Sequence, residues 1–241
     1  MATQWINLIV DSLNPIDQAR FWADFLGWRI NYADADEIDL QAPDDDGWRM
    51  DLVFGPVPEP KTVKNRLHLD LASKSLADRD RIVSRALDLG ARHADIGQSE
   101  TPWVVLADPE GNEFCVLEPR DEYRDTGAVA AVVMDVHDPG AQAAFWSAAT
   151  GWPVARRTAE FASLRASDGR GPWLELLRVD EPKVVKNRLH LDVAGSIGDD
   201  QAAEVDRLIA SGARPHEEMI GFPWQVLFDP EGNEFCVLTS R

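Results

Sequence analysis

Two histidine–aspartate pairs are the side chains whose type and spacing could carry chemistry in this chain. The duplicated sequences KNRLHLDL and KNRLHLDV place His68 two positions before Asp70, and His190 two positions before Asp192. On a β-strand each pair would share one face, while the neighbouring leucines point to the other. A carboxylate beside an imidazole raises the histidine pKa and can form an acid–base pair with it. The alternative is that both pairs contact a ligand, or satisfy backbone groups and nearby arginines.

A second duplicated motif gives each half one cysteine. DPEGNEFCVL occurs twice, so Cys115 and Cys236, the only cysteines of the chain, stand at matched positions. A disulfide between two equivalent strand residues requires the copies to meet there, and we therefore expect free thiols in a reducing cytoplasm. The sequence contains no glycine-rich phosphate loop, no nucleophile elbow and no CxxC pair.

The two motifs indicate that the chain is one unit written twice, and the hydrophobic pattern predicts the elements that carry them. In the first copy, apolar residues at helical spacing predict helices over IDQARFWADFLG and SLADRDRIVSRALDLG. Short apolar segments predict one strand before each helix and three after it, so each copy contains two βαβββ modules. The polar stretch PRDEYRDTG, residues 119–127, is the predicted linker between the copies.

Composition limits the classes of function. The 241 residues carry 42 acidic and 24 basic side chains, a net charge of −18. This charge repels phosphate backbones and anionic lipids, which argues against nucleic-acid and membrane partners. No apolar run approaches the roughly 20 residues of a membrane span, and the N-terminus does not read as a secretory signal. We therefore expect a cytoplasmic protein, monomeric or homodimeric, with a small-molecule ligand.

Four βαβββ modules, with HLD opening the second module of each pair and DPEGN before its last strand, resemble the vicinal oxygen chelate superfamily. The resemblance is greatest to its glyoxalase-like and bleomycin-resistance branch, and it covers essentially the whole chain. It implies an α+β fold of two tandem glyoxalase-like domains, at residues 1–119 and 126–241. The superfamily hosts several reactions and also non-catalytic binders, so the resemblance specifies chemistry far less than fold.

The resemblance also implies where a divalent metal, such as zinc, nickel or iron, would bind. In metal-dependent members two modules form an open cup, and the ligands come from four strands. The strand that opens the second module supplies His68 or His190. The last strand usually supplies a glutamate, and in this chain Cys115 or Cys236 stands there. The first-strand position falls on Trp5 in copy one, whose side chain cannot bind a metal.

The fourth strand leaves the assignment of a carboxylate ambiguous, since Asp51 and Glu175 are the only carboxylates of their strands. The candidate metal sites that follow are Asp51, His68 and Cys115 in copy one, and Glu175, His190 and Cys236 in copy two, the favoured host. Carboxylate, imidazole and thiolate could hold zinc with an open fourth position. The alternative is that only the histidines survive from an ancestral ligand set and that the cysteines are small buried apolar residues.

Two classes of function follow. One is a bleomycin-resistance-like protein that binds a small aromatic or cationic molecule in an acidic cup, and because the ligand set is incomplete we favour this class. Its expected ligand-binding residues are Trp5, His68, Asp70, His190 and Asp192. The Trp5 indole would stack on the ligand, and packing of this indole in the core is the alternative. The other class is a metal-dependent lyase, isomerase or dioxygenase acting on a substrate with vicinal oxygens. The sequence leaves open whether each cup comes from one copy or from modules exchanged between copies.

Overall fold

The computed structural model describes residues 3–98 and 100–241, and it contains the four predicted βαβββ modules in order. The first module comprises β1 (Gln4–Ser12), α1 (Pro15–Leu26), β2 (Arg29–Ala33), β3 (Ile38–Gln41) and β4 (Asp51–Pro56). The second comprises β5 (Leu67–Leu71), α2 (Leu76–Asp88), β6 (Arg92–His93), β7 (Val104–Ala107) and β8 (Glu113–Val116). A short 3-10 helix (Asp121–Tyr123) lies in the linker.

The second copy repeats this order. Its first module comprises β9 (Val129–Val136), α3 (Pro139–Thr150), β10 (Val154–Arg157), β11 (Phe161–Leu164) and β12 (Trp173–Arg178). Its second module comprises β13 (Leu189–Ala194), α4 (Gln201–Ala210), β14 (Arg214–Pro215), β15 (Gln225–Phe228) and β16 (Glu234–Leu238). The α+β class predicted from the sequence is therefore confirmed.

The modules are exchanged between the copies. Sheet A has the strand order β14-β15-β16-β13-β1-β4-β3-β2, and sheet B has the order β10-β11-β12-β9-β5-β8-β7-β6. In sheet A, β1 of the first copy pairs antiparallel with β13 of the second; in sheet B, β5 and β9 pair in the same way. Each sheet therefore takes one module from each copy, and this settles the pairing that the sequence left open.

The inner faces of both sheets share one hydrophobic core, which also contains the apolar faces of α1 and α3. Trp22 of α1 lies 5.1 Å, between ring centroids, from Phe114 on sheet B, although its own module is in sheet A. Phe145 of α3 lies 5.7 Å from Phe235 on sheet A in the same way. Within one copy, therefore, a helix of one module packs on a strand of the other. This packing joins the two halves of a copy across the two sheets.

The duplicated DPEGN turn stabilises this packing through hydrogen bonds to α1 and to the residues before it. Asp108 is fully buried and accepts hydrogen bonds from Trp22 Nε1, at 3.2 Å, and from Gln18 on α1. The Glu110 carboxylate accepts hydrogen bonds from the backbone N–H groups of Leu13 and Asn14, at 3.0 and 2.8 Å. These groups precede α1, whose N-cap residue Asn14 makes no side-chain cap of its own. Unsatisfied N–H groups at a helix start need such acceptors, so the turn of the second module caps the helix of the first.

The duplicated loops before β5 and β13 are also structural. Lys61 forms an ion pair with Glu113 at 2.6 Å, and the matched Lys183 pairs with Glu234 at 2.7 Å. The two loops line a cavity of about 810 Å³ at the junction of the copies. Its lysines Lys61, Lys64, Lys183 and Lys186 all form ion pairs with carboxylates of the protein. Internal neutralisation of this kind is typical of a structural junction rather than an anion site.

Cys115 and Cys236 lie on different sheets and are both free, as predicted. No helix in the described part of the chain is long and apolar enough to cross a membrane.

Candidate functional site

The outer face of sheet A carries the group that we call site A: Asn7, Asp51, His190, Asp192 and Cys236. Leu191 and Val193 of β13 point into the core, so His190 and Asp192 share the opposite face. Strand β16 runs parallel to β13 and places Cys236 directly beside Asp192. The Nε2 atom of His190 lies 3.5 Å from Asp192 Oδ1 and 3.6 Å from Cys236 Sγ.

Trp5 does not reach site A, contrary to the prediction that it binds the ligand. The pairing of β1 with β13 shifts register between Trp5 and Asn7, which is the signature of a β-bulge. The indole turns into the core, where its ring centroid lies 5.3 Å from that of Trp152, and only 5% of the residue is exposed. Asn7, which would share a face with Trp5 in a regular strand, keeps its outward direction and faces the site, with its Nδ2 3.5 Å from Asp192 Oδ2. An amide inside the otherwise apolar run WINLIV was the sequence signal for Asn7.

The second carboxylate of site A, Asp51, comes from the first copy, whereas Asp192 comes from the second. Strand β4 runs parallel to β1 and places Asp51 beside Asn7. Asp51, Asn7, Asp192 and Cys236 thus form one row across four neighbouring strands. Asp39 on β3 lies further along the same face, since it pairs with Val53, two residues beyond Asp51.

The outer face of sheet B carries the matched group that we call site B: His68, Asp70, Cys115, Tyr123 and Glu175. His68 Nε2 lies 3.4 Å from Asp70 Oδ1, and Cys115 pairs with Asp70 across β5 and β8. Glu175 is on this sheet, beside Val133, which pairs in turn with His68. Tyr123 of the linker donates a hydrogen bond to Glu175 Oε1 at 3.0 Å.

The predicted metal sites are wrong because the exchange of modules places their residues on different sheets. Glu175 lies on sheet B, whereas His190 and Cys236 lie on sheet A, so the structure does not bring this predicted set together. The same exchange separates Asp51 from His68 and Cys115. The two carboxylates are not equivalent either, since the position in sheet B that matches Asp51 is Trp173. The sequence could not show this because strand patterns do not identify the strand's partner.

Burial determines the charge states in site A. Burial, with a smaller contribution from the charge of Lys186, lowers the pKa of His190 to about 3. This corrects the expectation that the neighbouring carboxylate keeps the histidine protonated, since desolvation outweighs the pair. Burial raises the pKa of Asp192 to about 7, against hydrogen bonds from Cys236 and Asn7. Burial also raises the pKa of the Cys236 thiol, and the charge of Asp192 adds to this effect.

The rest of the face is also acidic. Burial raises the pKa of Asp39 to about 7, with contributions from the charges of Glu37 and Asp51. Burial likewise raises the pKa of Asp51, and the charge of Arg241 partly offsets it. Three buried oxygen acceptors on this face, Oδ1 of Asn7, Asp39 and Asp192, have no hydrogen-bond partner among the residues that the structure describes.

Site B differs because aromatic side chains fill it. Tyr123, Trp173, Cys115 and Val133 belong to one buried apolar cluster, against which Trp103 packs. Burial raises the pKa of Glu175 to about 7, and the charge of Asp70 adds to this effect. In contrast, the apolar cluster beside site A, formed by Ile6, Ala194, Val226, Cys236 and Leu238, contains no aromatic ring.

Both sites contain a group that could hold a metal ion. The two groups are His68, Asp70 and Cys115, and His190, Asp192 and Cys236, each with its ligand atoms within 4.8 Å of one another. In each, an aspartate of the HLD motif takes the place that the prediction gave to a fourth-strand carboxylate.

Comparisons with known proteins agree with this architecture. A family model described as a glyoxalase-like domain matches residues 7–117 and again residues 131–238. The solved structure of glyoxalase I from Zea mays is similar over 99% of this chain and 92% of its own, with a TM-score of 0.67 and 12% identity. The structure of a mutant of that maize protein is similar over 99% of this chain and 94% of its own, with a TM-score of 0.65 and 13% identity. No curated protein matches the sequence. At such low identity, the structural likenesses establish the fold alone.

Proposed function

Because the chain belongs to the glyoxalase-like domain family, whose fold does not by itself specify a reaction, we propose that site A binds a small cationic molecule. The observation that carries this proposal is the pair of acceptor oxygens, Oδ1 of Asn7 and Oδ1 of Asp192, that lie on neighbouring strands and have no hydrogen-bond partner among the described residues. A buried acceptor without a donor costs about 1–3 kcal/mol. An ammonium or guanidinium group supplies both the donors and the compensating charge.

The raised pKa values support a cation rather than a neutral ligand. Asp192 and Asp39 each have a pKa near 7 because burial disfavours their charged forms. A cation bound beside Asp192 would favour the ionised form of that carboxyl group. The aromatic part of the ligand predicted from the sequence loses its main support, because Trp5 lies in the core.

Binding of butylammonium tests the proposal, with butanol as the neutral analogue. We expect calorimetry to detect butylammonium but not butanol, and Asp192→Asn to weaken butylammonium binding roughly 10- to 100-fold. Asp70→Asn, the matched substitution in site B, makes the same change of charge and should leave binding unchanged. Equal weakening by both substitutions, or equal binding of the alcohol, would contradict a cation site at Asp192.

A metal-dependent enzyme is the second candidate, favoured by the geometry of His190, Asp192 and Cys236. Ligands of tetrahedral zinc, with bonds of about 2.0–2.3 Å, lie roughly 3.3–3.8 Å apart. The distances of 3.5 and 3.6 Å from His190 Nε2 to Asp192 and Cys236 fit this range. Three protein ligands is also the number that catalytic zinc sites use. Such a metal would polarise a substrate oxygen as a Lewis acid, and the Cys236 thiol would have to lose its proton to bind it.

Metal analysis of protein purified without chelator separates the two candidates. The enzyme candidate requires stoichiometric zinc, nickel or iron that is lost in His190→Ala and kept in the matched variant His68→Ala. If the wild-type protein contains no metal and binds butylammonium, the enzyme candidate is contradicted and only the cation-binding candidate remains.

A further inference from the structure

We propose that site B is a binding site for a phenolic ring, and that the chain's own Tyr123 occupies it as an intramolecular ligand. The proposal concerns a different sheet from site A and does not depend on the function proposed there. Residues 119–127, predicted as a plain linker, bring Tyr123 onto the outer face of sheet B through the 3-10 helix Asp121–Tyr123. Only 5% of this tyrosine is exposed.

The hydroxyl of Tyr123 has a dedicated acceptor. It donates a hydrogen bond of 3.0 Å to Glu175 Oε1, which β12 holds on the same face as His68. Hydrogen bonds to a carboxylate are about twice as strong as neutral ones. Burial and the charge of Glu175 raise the pKa of Tyr123, so the hydroxyl keeps the proton that it donates.

The ring of Tyr123 lies in a space that sheet A does not offer. On β9, Ala130 and Ala131 stand where β1 has Ile6 and Asn7, and these two alanines belong to the same buried cluster as Tyr123. Trp173 closes the cluster on the β12 side. Small side chains opposite an indole make room for one six-membered ring.

Contacts of Arg120 and Trp173 hold the linker segment, residues 119–127, on sheet B. The Arg120 guanidinium lies 5.8 Å from the Tyr123 ring centroid and 5.6 Å from that of Trp103. The indole N–H of Trp173 donates to the carbonyl of Glu122 at 3.2 Å. These contacts raise the effective concentration of the tyrosine at the site, so an external phenol has to compete with it.

Removal of the tyrosine side chain in the full chain tests the proposal, with p-cresol as the probe and toluene as its analogue without a hydroxyl. We expect p-cresol to bind Tyr123→Ala in a 1:1 ratio and to raise its melting temperature clearly more than toluene does. The double variant Tyr123→Ala/Glu175→Gln should bind p-cresol about tenfold more weakly. Tyr32→Ala removes the other tyrosine of the chain, which is 46% exposed, and should show no response to p-cresol.

Tyr123→Phe keeps the ring in place, so it should bind no p-cresol. Equal effects of p-cresol and toluene on Tyr123→Ala would overturn the proposal, as would p-cresol binding to Tyr123→Phe or Tyr32→Ala. If Tyr123→Ala does not fold unaided, the yield of refolded protein with p-cresol is compared with the yield with toluene. A higher yield with p-cresol supports the site, and equal yields contradict it.

Discussion

Glu110→Gln should destabilise the protein more than the matched substitution Glu231→Gln. The carboxylate of Glu110 accepts hydrogen bonds from Ser12 Oγ, Leu13 N and Asn14 N, and it lies in a part of the protein where its side chain is only 12% exposed. Its Oε2 atom faces only donors, the Leu13 N–H and the Arg188 guanidinium. An amide NH₂ group at that position therefore finds no acceptor.

The magnitude follows from these contacts. Loss of a hydrogen bond to a charged group costs about 1.5–3 kcal/mol. Loss of a negative charge at a helix start adds about 0.3–1 kcal/mol. We expect Glu110→Gln to cost about 2–4 kcal/mol. Among the described residues, Glu231 accepts hydrogen bonds only from the backbone N–H groups of His137 and Asp138, and α3 already has a side-chain cap from Asp138. We expect about 1 kcal/mol less for Glu231→Gln, because helix α3 keeps that cap.

Urea unfolding measures both losses, and thermal melts should show a fall of roughly 5–10 °C for Glu110→Gln. Glu160→Gln, at an exposed position of β10–β11, controls for the loss of one charge and should change stability by less than about 0.5 kcal/mol. A loss below about 0.5 kcal/mol for Glu110→Gln would refute the structural role of the duplicated turn. So would a larger loss for Glu231→Gln.

Three further outcomes are expected. Trp5→Phe should lower the unfolding free energy by about 1–2 kcal/mol in urea titrations, because the indole packs in the core. The affinity for butylammonium should not change, and a changed affinity would show that Trp5 contacts the ligand. The pKa of Glu175, raised from 4.5 to about 7 in the folded protein, means that the folded state holds the proton more tightly. Stability should therefore fall as pH rises from about 5 to 8, and Glu175→Gln should remove about 2 kcal/mol of that fall; identical pH profiles of unfolding would contradict this. Cys115 and Cys236 are buried thiols with raised pKa values. DTNB should therefore react with both far more slowly in the native protein than in guanidinium, and rapid labelling of the native protein would contradict their burial.

The element order could be predicted because it depends on local pattern. Helix α1 illustrates this, since Pro15 begins it and Gly27, with a φ of 74°, ends it in the left-handed region, as the sequence predicts. The duplicated motifs likewise identified the four modules, because each motif recurs at the same place in the order. These signals depend on residues close together in the chain.

The site could not be predicted in full because its geometry depends on events that leave little local trace. The bulge at Ile6 turns Trp5 away from the outer face that it would otherwise share with Asn7, because a single extra residue reverses the direction of the side chains beyond it. Tyr123 lies in a polar segment whose composition indicates a linker, yet its ring is buried. Neither position differs from its neighbours in a way that periodicity detects.

The exchange of modules explains why a duplicated sequence does not produce a duplicated site. The HLD and EFC motifs are identical in both copies and form half of each site, but the other half comes from β1 and β4, or from β9 and β12. These strands differ: beside Asp192 stand Asn7 and Asp51, whereas beside Asp70 stand Ala131 and Trp173. One site therefore keeps a row of oxygen atoms suited to a cation, and the other accepts a ring. The shared motifs also hold the fold together. The two sites therefore differ in the ligand they suit through β1 and β4 on one side and β9 and β12 on the other, the matched strands whose sequences differ between the copies.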